Sequence, residues 1–285
     1  MKIDVRFFGD PRILFEGQPL SLTSEQQFTL AVLGAAGPGG ISKGLLTEEL
    51  FDGHIPKSGD QAALMRVRRL ASKVKAATGV PVISTVGRCR LDLEHCSVDV
   101  WDFLALTKDG TFGALLAAAR SWGEPYAGLS NVGLVVQAAC SALRSAYRAT
   151  LTTLGPRLSG AADHDVIAQL EFEAKVAEID EALTVSAAIA LYNAGRQPDA
   201  LAIISEVLGN LRRVHGLNSK SPLAQVERAI LLNDVSEFAG RPADTQAGLG
   251  ARRGTDAQIF VGRSDVLCSL LSRVGSLRPA NSQSA

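Results

Sequence analysis

The chain of 285 residues is long enough for two domains, each with its own buried core. Lysine plus arginine and aspartate plus glutamate both number 29, so a formal net charge of +0 excludes recognition of nucleic acid or of an anionic membrane through overall charge. Hydrophobic residues at 46% and charged residues at 20% exclude a largely disordered protein, and the low aromatic content of 5% favours packed helices over a large sandwich or barrel.

Short strands are predicted at the start of the chain. Ile3, Val5 and Phe7 alternate with polar residues, Arg12–Phe15 forms a second extended run, and residues 20–22 predict a third strand. The pattern indicates antiparallel pairing in a small mixed domain that covers residues 1–97.

Two helices are predicted to follow these strands. Thr23 and Gln26 have the spacing of a capping box, which predicts a helix that reaches about Ala36. The glycine-rich run at 37–40 ends this helix and lacks the lysine of a phosphate-binding loop. Ser42 is placed to cap the second helix.

A third helix, predicted over Asp60–Thr78, is apolar on one side and basic on the other. Leu64, Val67, Leu70 and Val74 recur at helical spacing and predict a buried seam. At about 100° per residue, three of the basic side chains form a stripe that we expect opposite this seam, with Met65 and Ser72 beside it. The basic residues of this helix are Arg66, Arg68, Arg69, Lys73 and Lys75, of which Arg66, Arg69 and Lys73 form the stripe.

Residues 82–85 and 89–93 alternate around Val86, Gly87 and Arg88, which predicts a β-hairpin with an arginine at its tip. Taken alone, the basic helix is more typical of a solvated surface than of a DNA-binding one. Two preceding helices and a following hairpin are the parts of a winged helix, and this context favours DNA binding. Residues 1–97 hold 12 basic and 10 acidic side chains, so the support comes from where the charges lie rather than from their number.

The remainder of the chain, from residue 98 to about 235, has almost continuous helical periodicity. Residues 190–201 have the helix, glycine turn and helix pattern of tetratricopeptide-like units. Residues 236–285 include a segment without periodicity, 240–258, and are expected to form a flexible linker and tail. Helices are predicted over residues 98–108, 112–122, 134–154, 165–179, 182–194, 198–214 and 223–233.

Other classes of site have no support in the sequence. The cysteines at 89, 96, 140 and 268 are scattered and form no CxxC pair, and the histidines are remote from one another, so we expect neither a disulfide framework nor a metal site. We see no catalytic motif, cofactor motif, signal peptide or membrane span, and we expect a cytoplasmic protein that is not an enzyme and contacts no membrane.

Five segments, in this order and spacing, resemble the SARP-type antibiotic-pathway regulators, which join an OmpR-like winged helix to a bacterial transcriptional activator domain. The sequence departs from the family's usual pattern after Leu70, where Ala71, Ser72 and Lys73 replace further arginines, and at Cys89, where an aromatic is usual. The segments are 58–70 (SGDQAALMRVRRL), 85–93 (TVGRCRLDL), 98–103 (VDVWDF), 122–129 (WGEPYAGL) and 190–233.

The resemblance implies a winged helix at 1–97 and an activator domain at 98–235. It also implies binding to tandem direct repeats of double-stranded DNA near a promoter, self-association on that DNA, contact with RNA polymerase holoenzyme, control of secondary-metabolite genes and a place at the nucleoid. Arg66, Arg69 and Lys73 would enter or flank the major groove, Arg88 would reach the minor groove or backbone, and Arg68 and Lys75 would meet phosphates. Ser72 and Thr85 complete the predicted DNA contacts.

Two alternatives stay open at this point. The helical region could serve as a protein-interaction or ligand-sensing scaffold, with the winged helix used for protein contact. Residues 259–263 (IFVGR) also resemble the lead-in to a STAND-type ATPase module, as found in longer members of the family. The chain could therefore be the N-terminal part of a longer regulator, or a short form with a vestigial tail.

Overall fold

A computed structural model describes residues 3–51, 54, 56–129, 132–177, 180–215 and 221–238. Residues Met1–Ala239 group into one compact unit. The predicted linker at 240–258 and the segment at 259–263 lie outside the described residues.

Four strands form the N-terminal sheet. Their order across the sheet is Gln18–Pro19 (β3), Arg12–Phe15 (β2), Ile3–Arg6 (β1) and Cys96–Val98 (β6). The strand that the sequence predicted at residues 20–22 was wrong, because the third strand lies earlier, at Gln18–Pro19. A tight turn with positive φ at Glu16 and Gly17 sets Pro19 opposite Leu14 and so fixes the register. Strands β1 and β2 pair antiparallel, and β6 pairs parallel to β1.

Three helices and a hairpin complete this part of the chain. The helices are α1 (Ser24–Ala35), α2 (Lys43–Phe51) and α3 (Asp60–Thr78). The predicted capping box is confirmed, since the Gln26 amide donates to the Thr23 hydroxyl and the Thr23 amide donates to the Gln26 side chain. The hairpin is confirmed with shorter strands, β4 (Ile83–Ser84) and β5 (Arg90–Leu91). The N-terminal architecture is therefore a winged helix.

The rest of the described chain is helical. Helix α8 lies at its centre and packs against α6, α7, α9 and α10, and Leu183, Ala187 and Leu191 of α8 are buried. No helix among the described residues is long and apolar enough to cross a membrane. The helices are α4 (Asp99–Asp109), α5 (Phe112–Ser121), α6 (Leu134–Leu154), α7 (His164–Val176), α8 (Glu181–Asn193), α9 (Gln197–His215) and α10 (Pro222–Leu231).

Helix α4 makes hydrogen bonds to the winged helix. The Asp99 carboxylate at the start of α4 accepts the amide N–H groups of Phe7 at 2.8 Å and Phe8 at 3.0 Å. The Trp101 indole donates to the Gly34 carbonyl at 3.1 Å. A side chain at Gly34 would overlap the Phe7 ring, so α1 can approach β1 this closely only with glycine there.

The segment at 122–129 closes the same junction from the other side. The Gly9 amide donates to the Glu124 carbonyl at 2.8 Å, and the Tyr126 amide donates to the Phe7 carbonyl at 2.7 Å. The Trp122 ring stacks on Tyr147 of α6, with ring centroids 4.1 Å apart. Two of the segments that carry the family resemblance, 98–103 and 122–129, thus form this junction.

Glu49 of α2 makes a third connection, to the N-terminus of α6. Its buried carboxylate accepts the amides of Val135 at 3.0 Å and Val136 at 3.3 Å. These amides belong to the first turn of α6, where no intrahelical acceptor exists and a negative charge is favourable. Glu49 of the winged helix therefore caps α6, a helix that lies outside residues 1–97.

Candidate nucleic-acid interface

Helix α3 is held by its apolar seam. Val67, Leu70 and Val74 are fully buried, and α3 packs against both α1 and α2. Its C-terminus ends in Gly79, which adopts a left-handed conformation at φ 75°. The opposite side of the helix is left open to solvent.

The middle of this open side differs from the predicted stripe. The residues that lie most directly opposite the seam are Met65, Arg69, Ser72 and Ala76, with Gln61 next to them, and all five are exposed. Arg66 and Lys73 instead lie along the edge that faces α1. Arg66 therefore lies closer to α1 than the predicted stripe implies, whereas Lys73 is exposed.

Arg66 is tied to its own domain by three contacts. Its Nε lies 2.9 Å from Oε1 of Glu25, and its Nη1 donates to the Leu50 carbonyl at 3.1 Å. Its guanidinium carbon lies 4.2 Å from the centroid of the Phe51 ring. The Arg66 side chain is only 28% exposed. Its contacts connect α3 to both α1 and α2, so Arg66 has a structural role in addition to any contact with DNA.

Lys73 makes one contact on the same edge, from Nζ to Oε1 of Gln26 at 3.0 Å. Between α1 and α3, Thr23, Glu25, Thr29, Arg66 and Arg69 take part in lining a polar cleft of about 170 Å³.

The other edge of α3 carries Arg68 and Lys75. Both are exposed, as is Arg69, and the side chains of these three residues make no hydrogen bond or ion pair within the described part of the chain. Basic residues thus border the middle row on both sides, Arg68 and Lys75 on one and Arg66 and Lys73 on the other.

The hairpin is fastened beside this helix. Ile41 and Cys89 pair through both backbone amides, at 2.8 Å and 3.0 Å, and join the hairpin to the loop that precedes α2. Gly40 has a φ of 68°, and a side chain there would overlap the Cys89 carbonyl, so this close approach requires glycine. Burial raises the pKa of the Cys89 thiol, and the nearby charges of Lys43 and Arg68 oppose this rise.

The predicted hairpin residues are exposed to different extents. Arg88 is exposed at the tip, and its Nε donates to the Gly40 carbonyl at 3.0 Å. Thr85 is half-buried, whereas Val86 is 88% exposed. Arg66 and Thr85 are thus the less exposed of the predicted contact residues.

Three residues of this surface were not among the predicted contacts. Gln61 and Met65 lie in the middle row of α3, and Lys43 lies near the base of the hairpin. Helical spacing had already placed Met65 beside the predicted stripe and could also have identified Gln61, but Lys43 can be identified only from the fold.

A further group of side chains meets in the turn between β5 and β6. Ligand atoms of Asp92, Glu94 and His95 lie within 4.8 Å of one another. His95 Nδ1 lies 3.1 Å from Oδ2 of Asp92, and the Glu94 amide donates to Oδ1 of Asp92. Contacts within the turn account for this arrangement.

Comparisons with known proteins agree with this architecture. Residues 98–231 match the family model of the bacterial transcriptional activator domain. A solved structure of Mycobacterium tuberculosis EmbR in complex with a low-affinity phosphopeptide superposes with a TM-score of 0.61 at 20% identity, over 100% of this chain and 74% of that one. A likeness at this identity shows a shared fold. Comparison with curated proteins finds no match.

Proposed function

We propose that the chain is a SARP-type transcriptional regulator, as the match of residues 98–231 to the bacterial transcriptional activator domain supports, and that it activates transcription by binding tandem direct repeats of DNA near a promoter. Helix α3 enters the major groove, the β4–β5 hairpin reaches the adjacent minor groove or backbone, and the helical region contacts RNA polymerase holoenzyme. Two protomers associate side by side on the repeats, and the controlled genes are those of secondary metabolism.

The observation that carries this proposal is the arrangement of charge on α3. An α-helix in a major groove presents its middle to base edges and its flanks to the two phosphate backbones. In this proposal Arg69, in the middle row, enters the groove, and Arg66 and Lys73 lie in or beside it. Arg68 and Lys75, on the other edge, meet flanking phosphates. Ser72, Thr85 and Arg88 complete the contact surface.

The organisation of the chain belongs to the same proposal. We place the DNA-binding domain at residues 1–97, a tetratricopeptide-like activator domain at 98–235 and a linker and tail at 236–285. Acting on chromosomal promoters, the protein would work in the cytoplasm at the nucleoid, without catalysing a reaction.

The test begins with selection of bound sequences from random double-stranded DNA by the full chain, followed by titration of the selected operator. Arg69→Ala should weaken specific binding by about 1–3 kcal/mol if its guanidinium contacts a base. Lys75→Ala should weaken binding to all sequences and reduce the salt dependence by about one unit if the ammonium meets a phosphate. Arg88→Ala tests the hairpin independently.

Lys108→Ala is the matched control, because Lys108 is an exposed lysine on α4, outside residues 1–97. Operator affinity should not change in this variant. Unchanged affinity of the folded Arg69→Ala, Lys75→Ala and Arg88→Ala variants across a salt titration would rule out this surface. Failure of the chain to bind any DNA would favour the protein-interaction or ligand-sensing alternative.

A further inference from the structure

A large apolar side chain lies at the centre of the basic face of α3. Met65 is 46% exposed although its helix already has a complete buried seam on the other side. Gln61 lies one turn before Met65, Arg69 lies one turn after it, and Ser72 lies beside them. Met65 is therefore the only large apolar side chain in this exposed middle row, which also contains the small residue Ala76.

The surroundings of Met65 limit what it can contact. Basic side chains follow both edges of the row, and Arg68 and Arg69 both lie within one helical turn of Met65. A surface of this charge attracts a polyanion, and the middle row occupies the position that meets base edges in the major groove. The apolar group that a major groove offers is the C5-methyl group of thymine.

We infer that Met65 is a specificity-determining residue, whose thioether side chain packs against the C5-methyl group of a thymine in each half-site. This inference rests on the proposed function, and it names one base that the operator must contain. One helical turn advances about 5.4 Å along the helix axis, whereas stacked bases are about 3.4 Å apart. The thymine should therefore lie within about two base steps of the base that Arg69 contacts.

The decisive experiment replaces thymines of the selected operator, one at a time, by deoxyuridine, which lacks only the C5-methyl group. At one position in each half-site, this replacement should lower the affinity of the parent protein about fourfold, as expected for one methyl group lost from an apolar contact. Met65→Ala should lower affinity for the thymine operator by at least as much. The same replacement should leave the affinity of Met65→Ala unchanged.

Two further variants sharpen the comparison. Met65→Leu keeps an apolar side chain and should retain sensitivity to the methyl group. Leu104→Ala removes a side chain on α4 that is 41% exposed, close to the exposure of Met65, and should behave as the parent.

The outcomes separate this inference from the proposed function. If the parent selects no sequence and binds no DNA, the proposed function fails. If the parent binds a selected operator but every deoxyuridine replacement affects the parent and Met65→Ala equally, the role of Met65 is wrong and the DNA-binding function stands.

Discussion

Glu49 allows a quantitative test of how the winged helix and the activator region depend on each other. Its carboxylate is buried and accepts the amides of Val135 and Val136 at the start of α6. In Glu49→Ala these amides lose their acceptor, and a buried donor left unsatisfied costs about 1–3 kcal/mol. Loss of the favourable charge at a helix N-terminus adds about 0.3–1 kcal/mol.

We therefore expect Glu49→Ala to lower the free energy of unfolding by about 2–3 kcal/mol, since the first turn of α6 relaxes towards water in part. For a unit of this size, that change lowers the melting temperature by about 4–12 °C. Glu49→Gln keeps a hydrogen-bond acceptor but loses the charge, so its destabilisation should be smaller, about 1 kcal/mol.

Chemical denaturation followed by circular dichroism measures these differences. The control is Glu48→Ala, because Glu48 is the neighbouring carboxylate on α2 and is exposed. The reasoning is refuted if Glu49→Ala and Glu48→Ala unfold with free energies within about 0.5 kcal/mol of each other, the range of ordinary surface substitutions.

Four other expectations follow, three from single sites and one from the sequence as a whole. Val67→Asp should unfold the winged helix, as measured by circular dichroism, because it places an unpaired charge in the seam of α3. Gly34→Ala should cost about 1–3 kcal/mol in denaturant titration through overlap with Phe7, whereas Gly44→Ala, at an open helical site, should cost nothing. Arg120→Ala should raise the depressed pKa of Asp165 towards its ordinary value, seen by NMR titration, since the Arg120 hydrogen bond lowers it. This sequence has no Walker A motif, so a phosphate-release assay should detect no hydrolysis of ATP.

The sequence predicts those parts of the fold that depend on local interactions. The capping box of Thr23 and Gln26 and the limits of α3 involve residues close in the chain, so spacing and turn chemistry suffice. The third strand was misplaced because a turn at Glu16 and Gly17, rather than the apolar alternation at 20–22, sets the register.

Contacts between distant parts of the chain could not be predicted in this way. Asp99 accepts amides from residues more than ninety positions earlier, and Glu49 caps a helix that begins 85 residues later. Nothing local distinguishes these two carboxylates from exposed ones. The candidate site also has a part that local sequence predicts and a part that it does not. Helical spacing identifies the basic residues of α3, but it does not show that Arg66 is already bound to Glu25.

The hydrogen bonds that join the winged helix to the helices after it bear on promoter architecture. Asp99, Trp101 and Glu49 anchor different points of the junction, so a swivel of one part against the other would have to break several hydrogen bonds together. On the proposed function, the polymerase-contacting surface would then turn with the DNA helix as the operator is moved. Insertion of about half a helical turn, roughly 5 bp, between operator and promoter would point that surface away from the polymerase, and insertion of a full turn would restore its direction.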